Sequence, residues 1–352
     1  MVITFFAFVV LLGILIFVHE LGHFLAARAM GVGVLKFSLG FGPAIFGKKI
    51  GETEYVLAWI PLGGYVKLMG EAGDEELPPE DAKRSFSKQS VWKRMLIVLA
   101  GPGFNFLLAI VIFFLIQVVG FPSPTSEIGR IAENSAASEA GFAVGDKIVS
   151  MNGEKIVFWE DVINAISVSR DREIKFTVDR NGQEKRFAVK PKLTKTKNIF
   201  GEEITEYLVG ISPSDKRITE RRNPWDAILT SFYKTWDISR ITVLAVYKML
   251  KGVLSPKNLG GPIFIAKAAG SQMREGIIPF IFLIAYISVN LGVINLFPIP
   301  VLDGGHIMFY LVEIVTRREV SVKVREMAQQ IGLVFLLMLM LFVIFIDIER
   351  LN

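Results

Sequence analysis

Two histidines and a glutamate lie close together near the N-terminus, in a pattern that can carry chemistry. His19 and His23 are four residues apart, and Glu20 directly follows His19. Side chains four residues apart lie on one face of a helix, so both imidazoles can reach one metal ion. The glutamate beside them can take a proton from a water molecule at that ion. The sequence therefore predicts a zinc-dependent hydrolytic site, with His19 and His23 as metal ligands and Glu20 as general base.

Four hydrophobic segments predict that these residues lie in a membrane protein, because a spanning helix needs about 20 mostly apolar residues. Apolar residues make up 52% of the 352 residues, and charged residues make up 21%. The 39 Lys and Arg exceed the 34 Asp and Glu, which fits basic cytoplasmic loops. The sequence lacks a basic stripe interleaved with aromatic residues, so nothing in it indicates nucleic acid as a partner. The predicted spans are residues 1–30, 95–119, 277–303 and 328–347.

The positions of Lys and Arg predict which side of the membrane each loop occupies. Ten of them lie between residues 28 and 94, four lie between residues 317 and 325, and none precedes the first span. Both basic segments are therefore expected in the cytoplasm, and the long segment 120–276 outside. This orientation places His19 and His23 toward the cytoplasmic end of the first span.

A third metal ligand is required, because a catalytic zinc usually takes three protein ligands and leaves one position for water. The chain has no cysteine and only three histidines, so this ligand is a histidine or a carboxylate. Asp303 and His306 follow the third span at its cytoplasmic end, whereas Asp347 lies at the opposite side and is excluded. The residues alone leave both Asp303 and His306 open.

The histidine motif and a second motif together resemble a known family. The segment Asn295-x-x-Pro298-x-Pro300-x-x-Asp303-Gly, combined with His19–His23, is similar to the site-2 proteases, which are intramembrane zinc metalloproteases. The resemblance narrows to the bacterial branch of the regulator-of-sigma-E protease type and covers essentially the whole chain. It extends over three further segments: Phe37-Ser-Leu-Gly-Phe-Gly-Pro43, Pro61-Leu-Gly-Gly-Tyr-Val-Lys67 and Gly101-Pro-Gly-Phe-Asn105.

This resemblance implies that Asp303 is the third ligand of one Zn²⁺ per chain, with His306 as its neighbour. It implies a multi-pass protein of the bacterial inner membrane that cleaves transmembrane helices of single-pass membrane proteins, such as anti-sigma factors or remnant signal peptides. It also favours substrate binding by Asn295, Pro298 and Pro300. On residue type alone, helix termination explains these three equally well.

The segment outside the membrane contains a predicted β-rich domain at residues 126–213. Asn152-Gly153 and Asn181-Gly182 predict tight turns between strands, and residues 207–211 predict a last strand. With Gly141-Phe-Ala-Val-Gly-Asp146, the first turn resembles a circularly permuted bacterial PDZ domain, whose carboxylate-binding loop would be Tyr207–Gly210. Such a domain binds a peptide C-terminus by strand addition, or it only keeps large ectodomains from the membrane site. Some relatives carry two such domains, and this chain has room for one.

Three further segments are interpreted from their pattern. Within the cytoplasmic loop 31–94, Glu54–Val66 predicts a membrane-associated β-hairpin broken at Pro61, whose edge can pair with an extended substrate. Residues 225–252 combine helical apolar spacing with frequent charges, which predicts an amphipathic helix at the membrane interface. Gly101-Pro-Gly with Asn105 is expected to let the second span pack closely on the first, without a chemical role.

The predicted fold is a polytopic α-helical membrane protein with about four spans, a cytoplasm-side β-hairpin and an inserted β-rich PDZ-like domain. The alternative to an intramembrane protease is a catalytically silent adaptor, stapled by zinc and binding partners through its outer domain. Glu20 speaks against this alternative, because a structural zinc does not need it. A transporter would show inverted repeats or paired broken helices, and neither is evident in the sequence.

Overall fold

Among the residues described by the computed structural model, four helices are long and apolar enough to cross a membrane, judged by length and composition. The structure describes residues 2–71 and 78–350. In chain order the elements are α1 (Val2–Ala29), β1 (Val34–Ile50), β2 (Thr53–Leu68), α2 (Pro79–Ala82), α3 (Val91–Val119), β3 (Phe121–Pro124), β4 (Ile128–Ile131), α4 (Ala136–Ala140), β5 (Lys147–Met151), β6 (Glu154–Lys155), α5 (Trp159–Ser169), β7 (Ile174–Arg180), β8 (Gln183–Val189), β9 (Lys192–Lys197), β10 (Glu203–Leu208), β11 (Ile211–Pro213), β12 (Arg217–Glu220), α6 (Pro224–Leu250), α7 (Pro262–Glu275), α8 (Ile277–Asn295), α9 (Asp303–Thr316) and α10 (Val322–Glu349). The four candidate spans are α1, α3, α8 and α10, which fits a polytopic membrane protein.

The chain divides into two compact units. The helical unit contains the residues up to Leu115 and those from Ile228 onward, and the β-rich unit contains Ile116–Ala227. In the helical unit, α1 packs through Ala7, Leu11 and Leu15 against α7 and α8. Helices α3 and α8 share a second apolar cluster around Phe113 and Val289. These contacts bring α1 and α3, the first two candidate spans, into one core with α8.

The third candidate span ends before the two prolines. Helix α8 ends at Asn295, and residues 296–302 form turns before α9 begins at Asp303, so the helix covers residues 277–295 of the predicted segment 277–303. Pro298 and Pro300 lack backbone N–H groups and disfavour helix in the residues that precede them, which ends the helix here. Helices α7 and α9 had no counterpart in the sequence-based prediction. Their apolar stretches are short, as in helices that pack on other helices rather than cross a membrane.

The β-hairpin of the helical unit is larger than predicted. Strands β1 and β2 join at a turn where Ile50 pairs with Thr53, and Phe37 lies opposite both Tyr55 and Val66. The two halves of Glu54–Val66 therefore flank β1 instead of pairing with each other, and the hairpin predicted within this segment was wrong. The bend in β1 falls at Gly40, whose positive φ of 94° and close approach to the Ile60 carbonyl exclude a side chain.

Helix α6 covers the segment predicted to be amphipathic. Its aromatic residues Trp225, Phe232 and Trp236 are exposed, whereas Ser231 and Thr235 are buried. The apolar side chains thus point outward, as on a helix that contacts lipid. Its location at the membrane interface stays a prediction.

The β-rich unit is built around a four-stranded antiparallel sheet in the order β6-β5-β7-β8. Asn152 and Gly153, and likewise Asn181 and Gly182, have positive φ angles, as two-residue hairpin turns require. The strand predicted over residues 207–211 was wrong in extent, because it is divided at Val209-Gly210 into β10 and β11. The core of this unit contains the buried side chains of Ile128, Ile148 and Phe176, together with other buried apolar side chains.

Buried Asp146 ties the loop after α4 to β7 in this unit. Its two carboxylate oxygens accept hydrogen bonds from Arg180 at 2.6 and 2.7 Å, and one of them accepts a further bond from the Ala143 amide at 2.9 Å. Burial raises the pKa of Asp146, but the hydrogen bonds from Arg180 and Ala143 outweigh it and hold this pKa below its usual value. The loop is therefore fixed by a fully satisfied carboxylate.

Candidate metal centre

Helix α1 positions the histidine pair. The two rings meet edge to face, with centroids 4.8 Å apart. The Nδ1 atom of His23 lies 2.9 Å from the backbone carbonyl oxygen of Ile97 on α3. Because a carbonyl oxygen only accepts, Nδ1 carries the hydrogen, and neutral His23 presents a lone pair on Nε2. This nitrogen lies 3.2 Å from Nε2 of His19.

Asp303 completes the group from the other side. It is the first residue of α9, directly after the turns that contain Pro298 and Pro300. Its Oδ2 lies 3.2 Å from Nε2 of His19, and its Oδ1 lies 3.5 Å from Nε2 of His23. The structure thus brings His19, His23 and Asp303 together as a cluster that could hold one metal ion.

The spacing of the two histidine nitrogens is close to that of ligands on one zinc ion. Ligand atoms bound to zinc at about 2.0–2.2 Å and at tetrahedral angles lie about 3.3–3.5 Å apart. Nε2 of His19 and Nε2 of His23 are 3.2 Å apart, and one ligand atom from each of His19, His23 and Asp303 lies within 4.8 Å of the other two. Two imidazoles and one carboxylate are also a donor set that zinc takes in hydrolases.

An orphaned atom supports the same conclusion. Among the described residues, no hydrogen-bond donor reaches the buried Oδ2 of Asp303. Oδ2 lies 3.2 Å from Nε2 of His19, and if both neutral rings carry their hydrogen on Nδ1, the two Nε2 atoms and the carboxylate are acceptors that repel one another unless a cation lies between them. The residues therefore fit a divalent cation.

Glu20 lies next to the cluster but is not among its three members. Its side chain is half-buried, and its charge interacts with His23 and Asp303. A Cβ added at Gly64 of β2 would lie 3.1 Å from Cγ of Glu20, so the strand passes directly over this side chain. Glu20 thus lies on α1 with its side chain against β2.

The other residues predicted from the sequence lie outside the cluster. Asn295 is the last residue of α8, and Pro298 and Pro300 lie in the turns that lead to Asp303. His306, the alternative third ligand, lies on α9 and is not a member. Asp347, which the predicted orientation excluded, caps α7 by accepting hydrogen bonds from the backbone amides of Gly261, Ile263 and Phe264.

Helix α3 contributes two residues to which sequence reasoning assigned no chemistry. Asn105 is fully buried, with Nδ2 3.0 Å from Nδ1 of His19. A Cβ at Gly101 would lie 2.3 Å from Nε2 of His23 and 2.9 Å from Cε1 of His19. The bare backbone at Gly101 therefore forms a wall of the site. The available signal was an amide in the middle of an apolar span, since polar groups there mark functional sites.

An ion pair holds α9 in place relative to α3. Arg94 is buried and donates to Glu313 at 2.6 Å, and its guanidinium lies 5.1 Å from the centre of the Tyr310 ring. Glu313 and Tyr310 both lie on the helix that begins with Asp303. The pair thus helps to position the carboxylate opposite the two histidines.

Comparison with known proteins identifies the class. The chain belongs to Peptidase family M50, the site-2 protease family, whose model matches residues 7–339. It is therefore a zinc metalloprotease of that family.

Individual relatives agree with this assignment. A protein of Campylobacter jejuni, named a candidate zinc metalloprotease, is 36% identical over 352 residues, covering 99% of this chain and 94% of the relative. The regulator of sigma-E protease RseP of Escherichia coli is 31% identical over 443 residues, covering 98% of each chain. That alignment is longer than this chain, so the Escherichia coli relative has segments without a counterpart here. Together with the four apolar helices, these relatives fit a multi-pass inner-membrane protein.

Proposed function

We propose that the chain is an intramembrane endopeptidase in which His19, His23 and Asp303 hold one zinc ion and Glu20 is the general base. The observation that carries this proposal is the convergence of three ligand atoms, one each from His19, His23 and Asp303, within 4.8 Å of one another and beside a carboxylate on an apolar helix. Ionisable groups within a span are costly and mark functional sites. A structural zinc site would be closed and would not need Glu20.

The chemistry follows from the positions of these groups. Zinc bound here would supply Lewis-acid activation of a water molecule and of the scissile carbonyl. Glu20 takes the proton of the attacking water and returns it to the leaving amine, which makes it base and then acid in one cycle. The strand β2 over Glu20 limits access of bulk water to this proton transfer.

A transmembrane substrate must be unwound before it is cut, because helical carbonyls are hydrogen-bonded and shielded. The segment Gly64–Lys67 of β2 lies at an edge of the described sheet and is adjacent to Glu20 through Gly64. An extended substrate can add to this edge as a further strand. We assign Asn295 to hydrogen bonding with the substrate backbone. Pro298 and Pro300 are assigned to keeping the chain before Asp303 non-helical, so that its backbone groups are exposed to the substrate.

The substrates and their location follow from the relatives and the charge distribution. The relatives named regulator of sigma-E protease support single-pass membrane proteins such as anti-sigma factors as substrates of regulated intramembrane proteolysis, with remnant signal peptides as a second group. The basic loops put the metal site toward the cytoplasm and the β-rich unit outside the bacterial inner membrane.

A groove in the β-rich unit favours a second role for that unit. A cavity of about 860 Å³ runs between α5 and the segment that joins β10 to β11. Val162, Ile163 and Ile166 form an apolar wall, and the charged residues in the lining are two arginines and one glutamate: Arg130, Arg170 and Glu206. This combination suits a peptide C-terminus with an apolar side chain at the loop Tyr207–Gly210. It supports PDZ-like binding over mere exclusion of large ectodomains.

Cleavage of a model membrane helix with a short outer stub tests the function in liposomes. Wild type and Glu20→Gln are compared, and the zinc content of both is measured. The proposal expects one zinc per chain in both proteins and cleavage by wild type alone. If both hold zinc and neither cleaves several substrate helices, the adaptor interpretation replaces it. Cleavage by Glu20→Gln at the wild-type rate would refute the role of Glu20.

A further inference from the structure

We propose that Asn105 is a positioning residue for the metal centre: its side-chain Oδ1 accepts a hydrogen bond from Nδ1–H of His19 and so directs Nε2 of His19 at the ion. This inference rests on the proposed function, since it takes the cluster of His19, His23 and Asp303 as the metal site. The sequence patterns assign Asn105 only to the packing of two spans, and the names of the relatives assign no role to it.

The direction of the hydrogen bond follows from what His19 must do. Its Nε2 faces Asp303 at 3.2 Å and is the atom available to a metal, so a neutral ring carries its hydrogen on Nδ1. The side-chain amide of Asn105 lies 3.0 Å from that Nδ1. An amide nitrogen cannot accept a hydrogen bond, whereas the amide oxygen can. With the metal bound, a half-turn of the amide about its Cβ–Cγ bond brings Oδ1 to Nδ1.

The oxygen atom of the same side-chain amide gives independent support. Among the described residues, the buried Oδ1 of Asn105 has no hydrogen-bond partner in its present position. A buried acceptor without a donor is unfavourable, and the half-turn relieves it by placing Oδ1 against the Nδ1–H of His19. Oδ1 of Asn105 lacks a donor and Nδ1–H of His19 needs an acceptor, so a hydrogen bond between them satisfies both groups.

The two histidines then have equivalent supports from α3. The Nδ1–H of His23 donates to the carbonyl oxygen of Ile97, and after the half-turn that of His19 donates to Oδ1 of Asn105, with Gly101 between them. The support of His23 is backbone and persists in any variant. The support of His19 is a side chain, so a single substitution removes it. The backbone around Asn105 is fixed separately, because Ser288 on α8 donates to its carbonyl oxygen at 2.8 Å.

Zinc affinity measured by chelator competition tests the proposal, on full-length protein in detergent. Loss of the outer partner of a ligating histidine typically weakens metal binding by about 10–100-fold. We expect this loss for Asn105→Leu and for the smaller change Asn105→Ala, which serves if the leucine variant does not fold. Asn105→Asp keeps an acceptor opposite Nδ1 and should bind zinc within about 3-fold of wild type, as carboxylate–histidine–zinc groups do.

Ser288→Ala is the matched control, because it removes a hydrogen bond to the backbone of Asn105 and leaves the amide in place. Zinc affinity close to wild type in this variant, with the loss confined to Asn105→Leu and Asn105→Ala, supports a specific acceptor. Equal loss in Ser288→Ala and Asn105→Leu, or equal loss in Asn105→Asp, would overturn the proposal in favour of packing alone. Wild-type affinity in Asn105→Leu would overturn it outright.

The same titration separates this inference from the proposed function. If wild type and His23→Ala bind zinc equally, the metal site itself is misplaced and the proposed function fails. If wild type binds one zinc that His23→Ala loses, while Asn105→Leu binds it normally, only the role of Asn105 fails.

Discussion

Asp303 in the helical unit and Asp146 in the β-rich unit are both carboxylates withdrawn from water, but their surroundings differ in kind. Asp146 is matched on both oxygens by Arg180 and the Ala143 amide. Asp303 faces two histidine nitrogens, and its Oδ2 has no donor among the described residues. A buried carboxylate that is satisfied holds structure together, whereas one that is left open is poised to bind a cation. Burial alone does not distinguish the two carboxylates, whereas their hydrogen-bonding partners do.

Removing Asp303 should have the largest effect on function and little on folding. We expect Asp303→Ala to lose bound zinc and all measurable cleavage, because two imidazoles alone do not make a catalytic site. The metal-free variant should lose little stability relative to metal-free wild type, since Oδ2 of Asp303 has no hydrogen-bond donor among the described residues that its removal would leave unpaired. Zinc content, cleavage and thermal unfolding with a chelator present check this. Asp146→Ala is the control and should keep zinc while losing stability; loss of zinc there would break the comparison.

Glu20→Gln should abolish catalysis without loss of metal. Removing a general base typically lowers the rate by about 10²–10⁴-fold. Because Glu20 is not among the three clustered residues, one zinc per chain should remain. Single-turnover cleavage of a membrane helix, together with metal analysis of the same sample, measures both quantities. A variant that loses its zinc would make Glu20 a ligand instead of a base.

Gly101→Ala should damage the site by sterics alone. Its new methyl group would lie 2.3 Å from Nε2 of His23, where the metal must bind, so we expect zinc affinity to fall by about 10-fold or more. Gly103→Ala is the matched control, because no described atom lies within 4 Å of a Cβ at that position. Both exchanges raise helix propensity equally. Equal zinc affinity in the two variants would show that Gly101 does not border the metal.

The smallest effect concerns the stability of the β-rich unit. Asp146→Asn should destabilise it by about 2 kcal/mol, because hydrogen bonds to charged groups contribute about 1.5–3 kcal/mol. The pKa of Asp146 is lowered in the folded state, so its stabilisation is complete above the unfolded pKa of about 3.9 and is lost as the pH falls through the folded value. Acid unfolding of the full chain, followed by circular dichroism, should depend less on pH in the variant. An unchanged pH profile would contradict this role.

Features that depend on local sequence could be predicted, whereas features that depend on distant partners could not. Helices α1, α3, α8 and α10 were predictable because hydropathy is a local property. His19, Glu20 and His23 were predictable because one helix sets their spacing. The choice of Asp303 over His306 needed the family resemblance, since it depends on where the turns after Asn295 bring the chain back.

The missed features share one cause, which is that their partners lie far away in the sequence. Asn105 meets His19 across 86 residues, and its role is invisible without the packing of α3 on α1. The predicted hairpin at Glu54–Val66 failed because both of its halves pair with β1. The strand predicted through Gly210 failed because that residue has a positive φ of 85°. Local pattern predicted the candidate ligands and the candidate base, whereas long-range register and packing decided their surroundings.

The zinc-edge X-ray absorption spectrum of purified Glu20→Gln reports the metal ligands themselves, since this variant should retain the metal without turnover. We expect one zinc per chain, with two histidine nitrogens and one carboxylate oxygen at about 2.0–2.2 Å. In the matched Asp303→Ala variant this spectrum should be lost. Zinc with fewer than two histidine ligands, or an unchanged spectrum in Asp303→Ala, would contradict the assignment of His19, His23 and Asp303 as the metal centre.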